Sequence, residues 1–215
     1  QIMLILAQMY FIKTPGWLKK IYSGYVWHIP VKEKVLYLTF DDGPHRVATP
    51  FVLDELKKFG AKATFFCIGK NVMEEPEIYK RILQEGHTVG NHSFNHLNGW
   101  ETQDEIYIAN ALLAAKEIGS KLYRPPYGRI KKSQGRQLKS NGFKIIMWDV
   151  LSGDFDKTIS PETCCDNVLK NASEGSIIVF HDSEKAFRNM NFALSETLQF
   201  FSLKGYKFEG LPNLQ

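Results

Sequence analysis

Residues 35–44 read Val-Leu-Tyr-Leu-Thr-Phe-Asp-Asp-Gly-Pro, a short apolar run that ends in two adjacent carboxylates. A run of this length followed by Gly-Pro predicts a buried β-strand that ends at a turn. Asp-Asp-Gly-Pro is ordinary turn chemistry, and taken alone the stretch is compatible with a plain turn. Paired acids at the end of a strand also offer a base and a metal ligand side by side, so the rest of the chain has to decide between the two interpretations.

Further short runs of β-branched or aromatic residues alternate with helical patterns along the chain. This alternation predicts βα units and a mainly parallel sheet rather than a meander of hairpins. The predicted fold class is therefore α/β, a distorted (β/α) barrel with about seven parallel strands at residues 35–40, 63–68, 88–91, 122–124, 144–148, 176–180 and 206–208.

Capping residues mark the helices between these strands. Thr49-Pro50 predicts an N-cap followed by proline at the first helical position. Thr102 and Glu105 have the spacing of a capping box, and Gly119 predicts the end of the same helix. Helices between short strands are what a parallel barrel requires.

Length and composition fit one globular domain with a sizeable core, since 44% of the 215 residues are hydrophobic and 13% are aromatic. The net charge of +4 is too small to indicate a nucleic-acid partner, and no Gly-rich phosphate-binding loop is present in the sequence. Three cysteines, two of them adjacent, fit neither a disulfide framework nor a zinc knuckle. We expect no nucleic acid among the partners, and the sequence leaves the oligomeric state open.

The start of the chain carries no strand of the predicted barrel. We interpret residues 1–30 as an N-terminal segment packed on the domain, and residues 31–215 as the domain that carries the chemistry. Trp17 and Leu18 beside Lys19 also fit an interfacial anchor, so association with a membrane surface stays an alternative. The apolar stretch before them is too short to span a bilayer and lacks the basic start and cleavage site of a signal peptide. We therefore expect no export signal.

Polar residues follow the carboxyl ends of the predicted strands. In an α/β barrel these ends share one face, where active sites are assembled from different loops. The residues are Asp41 and Asp42 after the first strand, His92 and His96 after the third, Arg124 after the fourth, Asp149 and Asp154 after the fifth, and His181 and Asp182 after the sixth.

His92 and His96 are four residues apart, so one turn or tight loop can direct both imidazoles at one point. With an aspartate from the first strand they form a two-His, one-carboxylate set that leaves coordination positions for water and substrate. A metal in such a site lowers the pKa of its bound water towards about 7 and polarises a carbonyl oxygen, which favours hydrolysis. Two histidines in a loop also occur by chance or for packing, and the same set suits non-haem iron in an oxygenase.

Four stretches, in this order along the chain, resemble motifs of the polysaccharide deacetylases (carbohydrate esterase family 4, with a NodB-like homology domain). The resemblance runs from about Lys34 to the C-terminus. The stretches are Thr39-Phe40-Asp41-Asp42-Gly43-Pro44, His92-Ser93-Phe94-Asn95-His96, Arg124-Pro125-Pro126-Tyr127-Gly128 and Ser176-Ile177-Ile178-Val179-Phe180-His181-Asp182. The resemblance implies that residues 31–215 form a polysaccharide deacetylase catalytic domain.

The resemblance implies that Asp42, His92 and His96 hold one divalent metal ion. That ion is usually zinc, with cobalt, nickel, manganese and iron as the other options. It also implies that Asp41 is the general base and that Arg124 pairs with it, which fits because a guanidinium orients a carboxylate and stabilises its ionised form. The plainer alternative for Arg124 is a structural ion pair.

Two further catalytic roles follow from the same resemblance. The backbone N–H of Tyr127 is the oxyanion donor, and it is the first free N–H after two prolines, which cannot donate. His181 is the general acid, because an imidazole titrates near neutrality, and we choose Asp154 as its carboxylate partner. A plain turn at Pro-Pro-Tyr-Gly and a structural His-Asp pair remain the alternatives.

Three residues are expected to contact the substrate. Phe155 stands where the fourth motif of the family usually has Trp, and Val179 stands where the fifth usually has Leu. The resemblance implies that both positions line the pocket for the acyl group. The two departures therefore leave open how large an acyl group the site accepts. Trp100 could stack on a sugar ring at the rim of the site or pack at the start of a helix.

The expected function is metal-dependent hydrolysis of an N-acetyl group on an amino-sugar polymer or oligomer, peptidoglycan or chitin-like, with release of acetate. The alternatives are an O-acetyl esterase and a catalytically silent glycan-binding module on the same scaffold. The partner is then an acetylated glycan. Family members usually act outside the cytoplasm, so the resemblance implies the cell envelope or an extracytoplasmic location, although the chain shows no export signal.

Overall fold

The computed structural model describes residues 10–212. Within them, eight β-strands alternate with helices along the chain. The strands are β1 (Val35–Asp41), β2 (Thr64–Cys67), β3 (Thr88–Asn91), β4 (Leu122–Tyr123), β5 (Lys144–Ile145), β6 (Val150–Leu151), β7 (Ile177–His181) and β8 (Lys207–Phe208).

The helices occupy the connections between the strands. They are α1 (Gly16–Ile21), α2 (Ala48–Lys58), α3 (Gly69–Glu74), α4 (Pro76–Gln84), α5 (Asp104–Ile118), α6 (Lys132–Ser140), α7 (Pro161–Leu169) and α8 (Phe187–Leu203), with a 3-10 turn at Pro126–Gly128. None of the helices in the described ranges is both long and apolar enough to cross a bilayer.

Two of the three predicted helix ends are wrong in detail. Helix α2 begins at Ala48, before Thr49, and the Thr49 hydroxyl bonds to Asp182 instead of capping. Helix α5 begins after Gln103, and the Thr102 hydroxyl donates to the carbonyl of Asn98. The acceptor is distant in sequence for Thr49 and only four residues away for Thr102. Gly119 does end α5, in the left-handed conformation.

The sheet is parallel throughout and curls into an open barrel. Its strand order is β5-β4-β3-β2-β1-β7-β6, and β8 pairs with the start of β1. The predicted α/β barrel is confirmed, with one change: the strand expected at 144–148 stops at Ile145, and β6 follows as a separate strand. Among the described residues β5 and β6 are the two edges of the path, so the barrel has a seam between them.

Residues 12–28 lie along this seam. Val26 forms backbone hydrogen bonds with the β5 side, to Ile145 and Met147, while Leu151 on the other edge donates to Ile12. The segment thus satisfies backbone groups on both edges that would otherwise be open. Residues 1–9, the first part of the segment predicted at 1–30, lie outside the described residues, and the division at residue 30 stays a prediction.

Asp149 fixes the segment to the barrel. Its buried carboxylate accepts a hydrogen bond from Lys13 Nζ at 2.6 Å, another from Lys19 Nζ, and a third from Ser176 Oγ at 2.6 Å. The sequence placed Asp149 on the catalytic face, and the structure turns it towards the seam instead. Burial would raise the pKa of this carboxyl, but the hydrogen bonds from the two lysines and the serine lower it.

Alternation along β1 sorts its side chains between two layers. Leu36, Leu38 and Phe40 are fully buried in the core that the helices cover. The residues between them face the interior of the barrel, where Thr39 and Asp41 both bond to Arg124. The hydrophobic pattern of β1 therefore directs Asp41 inward.

Candidate active site

Arg124 reaches from the end of β4 across the interior of the barrel to β1. Its Nη1 donates to Asp41 Oδ1 at 2.7 Å and to Thr39 Oγ1 at 2.7 Å. The other donors reach the carbonyls of Ile146 and Met147, and the guanidinium lies 4.1 Å above the centre of the Phe66 ring. A fully buried guanidinium held in this way has a fixed direction, and so has the carboxylate that it contacts.

Asp42, His92 and His96 converge beside this pair. One ligand atom from each residue lies within 4.8 Å of the other two. Asp42 Oδ1 is 3.2 Å from His96 Nε2 and 3.7 Å from His92 Nε2. Asp42 and His96 both have positive φ angles, 81° and 55°, so the backbone bends sharply at two of the three residues.

The protonation states of His92 and Asp42 suit the binding of a divalent cation. His92 Nδ1 lies 2.9 Å from the carbonyl of Arg124, and since a carbonyl only accepts, Nδ1 carries the proton and Nε2 offers its lone pair. Burial lowers the pKa of His92 to about 4, so the ring is neutral at physiological pH. Burial would raise the pKa of Asp42, but the close contact with His96 and the nearby His181 and His92 lower it well below its usual range.

One buried oxygen of this group also lacks a partner. Asp42 Oδ1 has no hydrogen-bond donor among the described residues, although it is shielded from solvent. Such an atom is costly unless something positive occupies the space in front of it. Two imidazole lone pairs and one carboxylate form a donor set that suits zinc and its neighbours among the transition metals.

His181 ends β7 next to these residues and is held by Asp154. Its Nδ1 lies 2.7 Å from Asp154 Oδ1, and its backbone N–H donates to Asp154 Oδ2 at 2.7 Å. Burial by itself would lower the pKa of His181, but the charge and hydrogen bond of Asp154, with the charges of Asp42 and Asp41, raise it to about 9. The imidazole is therefore cationic at neutral pH.

Tyr127 lies in the 3-10 turn that follows β4, with a φ angle of 59°. The N–H groups of the next two residues, Gly128 and Arg129, donate to carbonyls within the turn. Within residues 10–212 the N–H of Tyr127 itself donates to no protein acceptor. The tyrosine ring packs 4.5 Å from the ring of His96, which places the turn against the proposed metal ligands.

One cleft of about 1010 Å³ joins these groups. All three predicted substrate-contact residues line it: Val179 is almost fully buried, Phe155 lies edge-on to His181 at 5.1 Å, and Trp100 is 60% exposed beneath the guanidinium of Arg129. Their roles stay predictions, as do those of the catalytic candidates.

The N-terminal segment adds a wall that was not predicted. Tyr10, Tyr22 and Trp27 line the same cleft, and Tyr10 packs 5.2 Å from Phe155 while its hydroxyl donates to Asp156. These residues precede the four motifs and have no spacing that points to a site. Only their aromatic character could have drawn attention to them.

An open α/β barrel with a candidate metal site at the carboxyl ends of its strands fits the class of α/β-barrel hydrolases. The chain belongs to the polysaccharide deacetylase family, whose profile matches residues 28–146.

Named relatives are deacetylases of bacterial cell-wall glycans. A peptidoglycan-N-acetylglucosamine deacetylase of Bacillus cereus is 36% identical over 200 residues, which cover 89% of this chain and 93% of the relative. The peptidoglycan-N-acetylmuramic acid deacetylase PdaC of Bacillus subtilis is 35% identical over 190 residues, 85% of this chain and 39% of PdaC.

A solved structure shares this fold over most of the chain. The Bc1960 peptidoglycan N-acetylglucosamine deacetylase, in complex with 4-naphthalen-1-yl-N-oxidanyl-benzamide, superposes with a TM-score of 0.81 at 35% identity and covers 92% of this chain and 94% of its own.

Proposed function

We propose that this protein is a metal-dependent hydrolase that removes N-acetyl groups from peptidoglycan and releases acetate. The observation that carries the proposal is the cleft in which Asp41, the Asp42–His92–His96 set and His181 face one another. The named relatives support peptidoglycan as the substrate class, ahead of chitin-like polymers. The intact catalytic set favours an enzyme over a silent glycan-binding module.

We propose zinc as the ion. Held by Asp42, His92 and His96, it would polarise the acyl carbonyl and activate a water molecule when bound. The structure supports this through two imidazole nitrogens and one carboxylate oxygen, the ligand types that zinc accepts in open catalytic sites.

Asp41 is the proposed general base. Its Oδ1 is occupied by the guanidinium of Arg124 at 2.7 Å, which leaves Oδ2 to accept a proton from the attacking water. Because Arg124 is held by four acceptors and is fully buried, it fixes the direction of the carboxylate rather than competing for the proton.

His181 is the proposed general acid. Its Nδ1–H donates to Asp154, so the second proton of the imidazolium sits on Nε2. We propose that this proton is transferred from Nε2 to the nitrogen of the departing amine. The pKa of about 9 keeps this proton in place at neutral pH. After transfer the neutral ring stays oriented by Asp154 and can be recharged from solvent.

The N–H of Tyr127 is the proposed oxyanion donor. It is a rigid donor, because Pro125 and Pro126 precede it and the 3-10 turn holds its neighbours. A preorganised N–H aimed at the acyl oxygen stabilises negative charge as it develops on that atom. An acetamido group bound between Tyr127 and His181 would then have its carbonyl oxygen on one side and its nitrogen on the other.

The test is acetate release by metal-reconstituted protein from peptidoglycan, chitooligosaccharides and acetylated xylan. We expect release from peptidoglycan to exceed release from xylan, and to stop with a chelator and return with zinc. Release from xylan alone would replace the amidase by an O-acetyl esterase. Glycan binding with no acetate release from any substrate would favour the silent module, and oxygen consumption would indicate the iron oxygenase.

A further inference from the structure

The junction between β2 and α3 touches both turns that carry the proposed metal ligands. Towards the Asp42 turn, Ile68 N donates to Gly43 O at 2.9 Å. Towards the His92–His96 turn, Gly69 N donates to Ser93 O at 2.9 Å and Lys70 N donates to Phe94 O at 3.2 Å. A single stretch of three residues therefore sets the separation between the aspartate ligand and the two histidine ligands.

Asn71, the next residue, holds the backbone of Asp42. Its Nδ2 donates to Asp42 O at 2.7 Å, while the N–H at the other end of the same peptide unit, that of Gly43, donates to Asp182 Oδ1 at 3.0 Å. Both polar groups of the peptide unit that follows the ligand are thus fixed from outside. Asp42 has a φ of 81°, a conformation that a non-glycine residue keeps only where its surroundings impose it.

Asn110, in the middle of α5, holds the second turn. Its Oδ1 accepts from Phe94 N at 2.8 Å and from Asn95 N at 3.0 Å, the two residues between Ser93 and His96. Ser93 and His96 have φ angles of 64° and 55°. Asn110 is 9% exposed, so water has little access to replace its oxygen.

We propose that Asn71 and Asn110 are positioning residues for the metal centre, one as a hydrogen-bond donor and the other as an acceptor. Neither is within the proposed ligand set, and each acts through the backbone of a turn that carries ligands. The inference rests on the proposed metal site. It deepens that site by naming the amide groups that keep its strained turns in place.

The opposite polarity of the two amides makes the proposal testable with matched substitutions. Asn71→Leu and Asn110→Leu remove the amide at similar size. Asn110→Asp keeps an acceptor for the two N–H groups, whereas Asn71→Asp puts a carboxylate oxygen against a carbonyl oxygen. Asn189→Leu is the control, because Asn189 is also a buried amide but its Nδ2 donates to Asp156 O and Ile159 O, away from both ligand turns.

The readouts are the zinc dissociation constant from chelator competition and the Tm of the metal-free protein. We expect both Leu variants and Asn71→Asp to bind zinc about 10–100-fold more weakly, as for other residues that orient metal ligands. Asn110→Asp should bind as tightly as the wild type. Asn189→Leu should lower the Tm and leave the zinc affinity unchanged.

Three results would overturn the proposal. They are zinc affinity in the Leu variants within about threefold of the wild type, Asn110→Asp as weak as Asn110→Leu, and a loss in Asn189→Leu as large as theirs. If Asn110→Leu does not fold, the pair at the half-buried Asn71 decides the question alone. Wild-type protein that binds zinc but releases no acetate would refute the proposed function and leave this test intact.

Discussion

The backbone turns sharply between the two adjacent acids Asp41 and Asp42, so their carboxylates point to different partners. Asp41 is the last residue of β1 and follows the alternation of that strand into the barrel, where it meets Arg124 at 2.7 Å. Asp42 has left the strand with a φ of 81°, so its carboxylate turns towards His92 and His96. The proposed base and the proposed metal ligand are thereby adjacent in sequence and separated in direction.

Asp41→Asn should abolish turnover while preserving metal binding. An amide still accepts the hydrogen bond from Arg124, but it cannot take a proton from water, so we expect kcat to fall by about 10²–10⁴-fold. Acetate release and bound zinc per chain are the measurements. Full activity in a sample that is verified to be metal-loaded would refute the assigned base.

Asp154→Asn should move the alkaline limb of the pH profile to lower pH. With Asp154 present the pKa of His181 is about 9, so the acid form persists below that pH and is lost as the pH rises through it. Removing the carboxylate removes the effect that raises this pKa, and burial then lowers it, so activity at neutral pH should drop by about 10-fold or more. Profiles of kcat/KM from pH 6 to pH 10 measure the shift, and an unchanged alkaline limb would exclude His181 as the acid.

At the scale of single residues, the sequence predicts those site residues that stand at a recognisable spacing. His92 and His96 stand four apart, and Asp41 and Asp42 stand behind an apolar run, so their convergence could be predicted. Asn71 and Asn110 could not, because a single asparagine has no partner at a fixed spacing and its contacts arise only when distant turns pack together. Asp149 was misplaced for the same reason: its lysine partners lie in the N-terminal segment.

At the scale of secondary-structure elements, one contact near the site is so close that only glycine fits. The β1–α2 turn approaches β7 so closely that a Cβ at Gly43 would lie 2.0 Å from Asp182 Oδ2. That carboxylate is fixed by Gly43 N and the hydroxyl of Thr49, so it cannot move aside. The same contact explains why Thr49 does not cap α2, a tertiary outcome that capping patterns do not reveal.

Gly43→Ala should therefore destabilise the fold and loosen the metal site together. We expect the free energy of unfolding to fall by about 1–3 kcal/mol, as for other overpacked buried positions, with weaker zinc binding. Gly16→Ala is the matched control, since a Cβ at Gly16 meets no heavy atom within 4 Å. Urea denaturation of both variants measures the effect, and equal stability would contradict the tight contact.

Strand assignment failed at only one of the seven predicted runs. The other six strands were placed to within one residue at each end, because their runs are bounded by turn signals. The run at 144–148 is equally apolar, yet only Lys144–Ile145 pairs as β5, and the two-residue β6 follows after a bend. Apolar side chains fill the barrel in both forms, so their pattern cannot show where ladder pairing stops.

At the scale of the whole molecule, the seam of the barrel is closed by residues from outside the region that the family profile matches. The segment before residue 28 supplies both backbone pairing and the two lysines that neutralise Asp149. It also contributes aromatic residues to the cleft. Its predicted packing on residues 31–215 followed from its apolar content, whereas its place at the seam could not, since nothing in the sequence marks which edges stay open.

Lys19→Ala should weaken the attachment of this segment. It leaves the buried Asp149 with one cation fewer, and we expect the free energy of unfolding to fall by about 1 kcal/mol, with faster proteolysis within residues 10–30. Lys20→Ala is the control, because Lys20 lies on the same short helix and is exposed. Denaturant unfolding and limited proteolysis measure both, and identical behaviour of the two variants would show that the ion pair does not anchor the segment.

The position of β1 in the strand order has a consequence for biosynthesis. β1 is flanked by β2, which follows soon after it, and by β7 and β8, which come from the far part of the chain. Pairings of such wide sequence separation form slowly, because the loop between them must close first. On the ribosome, β1 must therefore wait with one edge unpaired until β7 and β8 have emerged, and an unpaired strand edge is prone to aggregation during that interval.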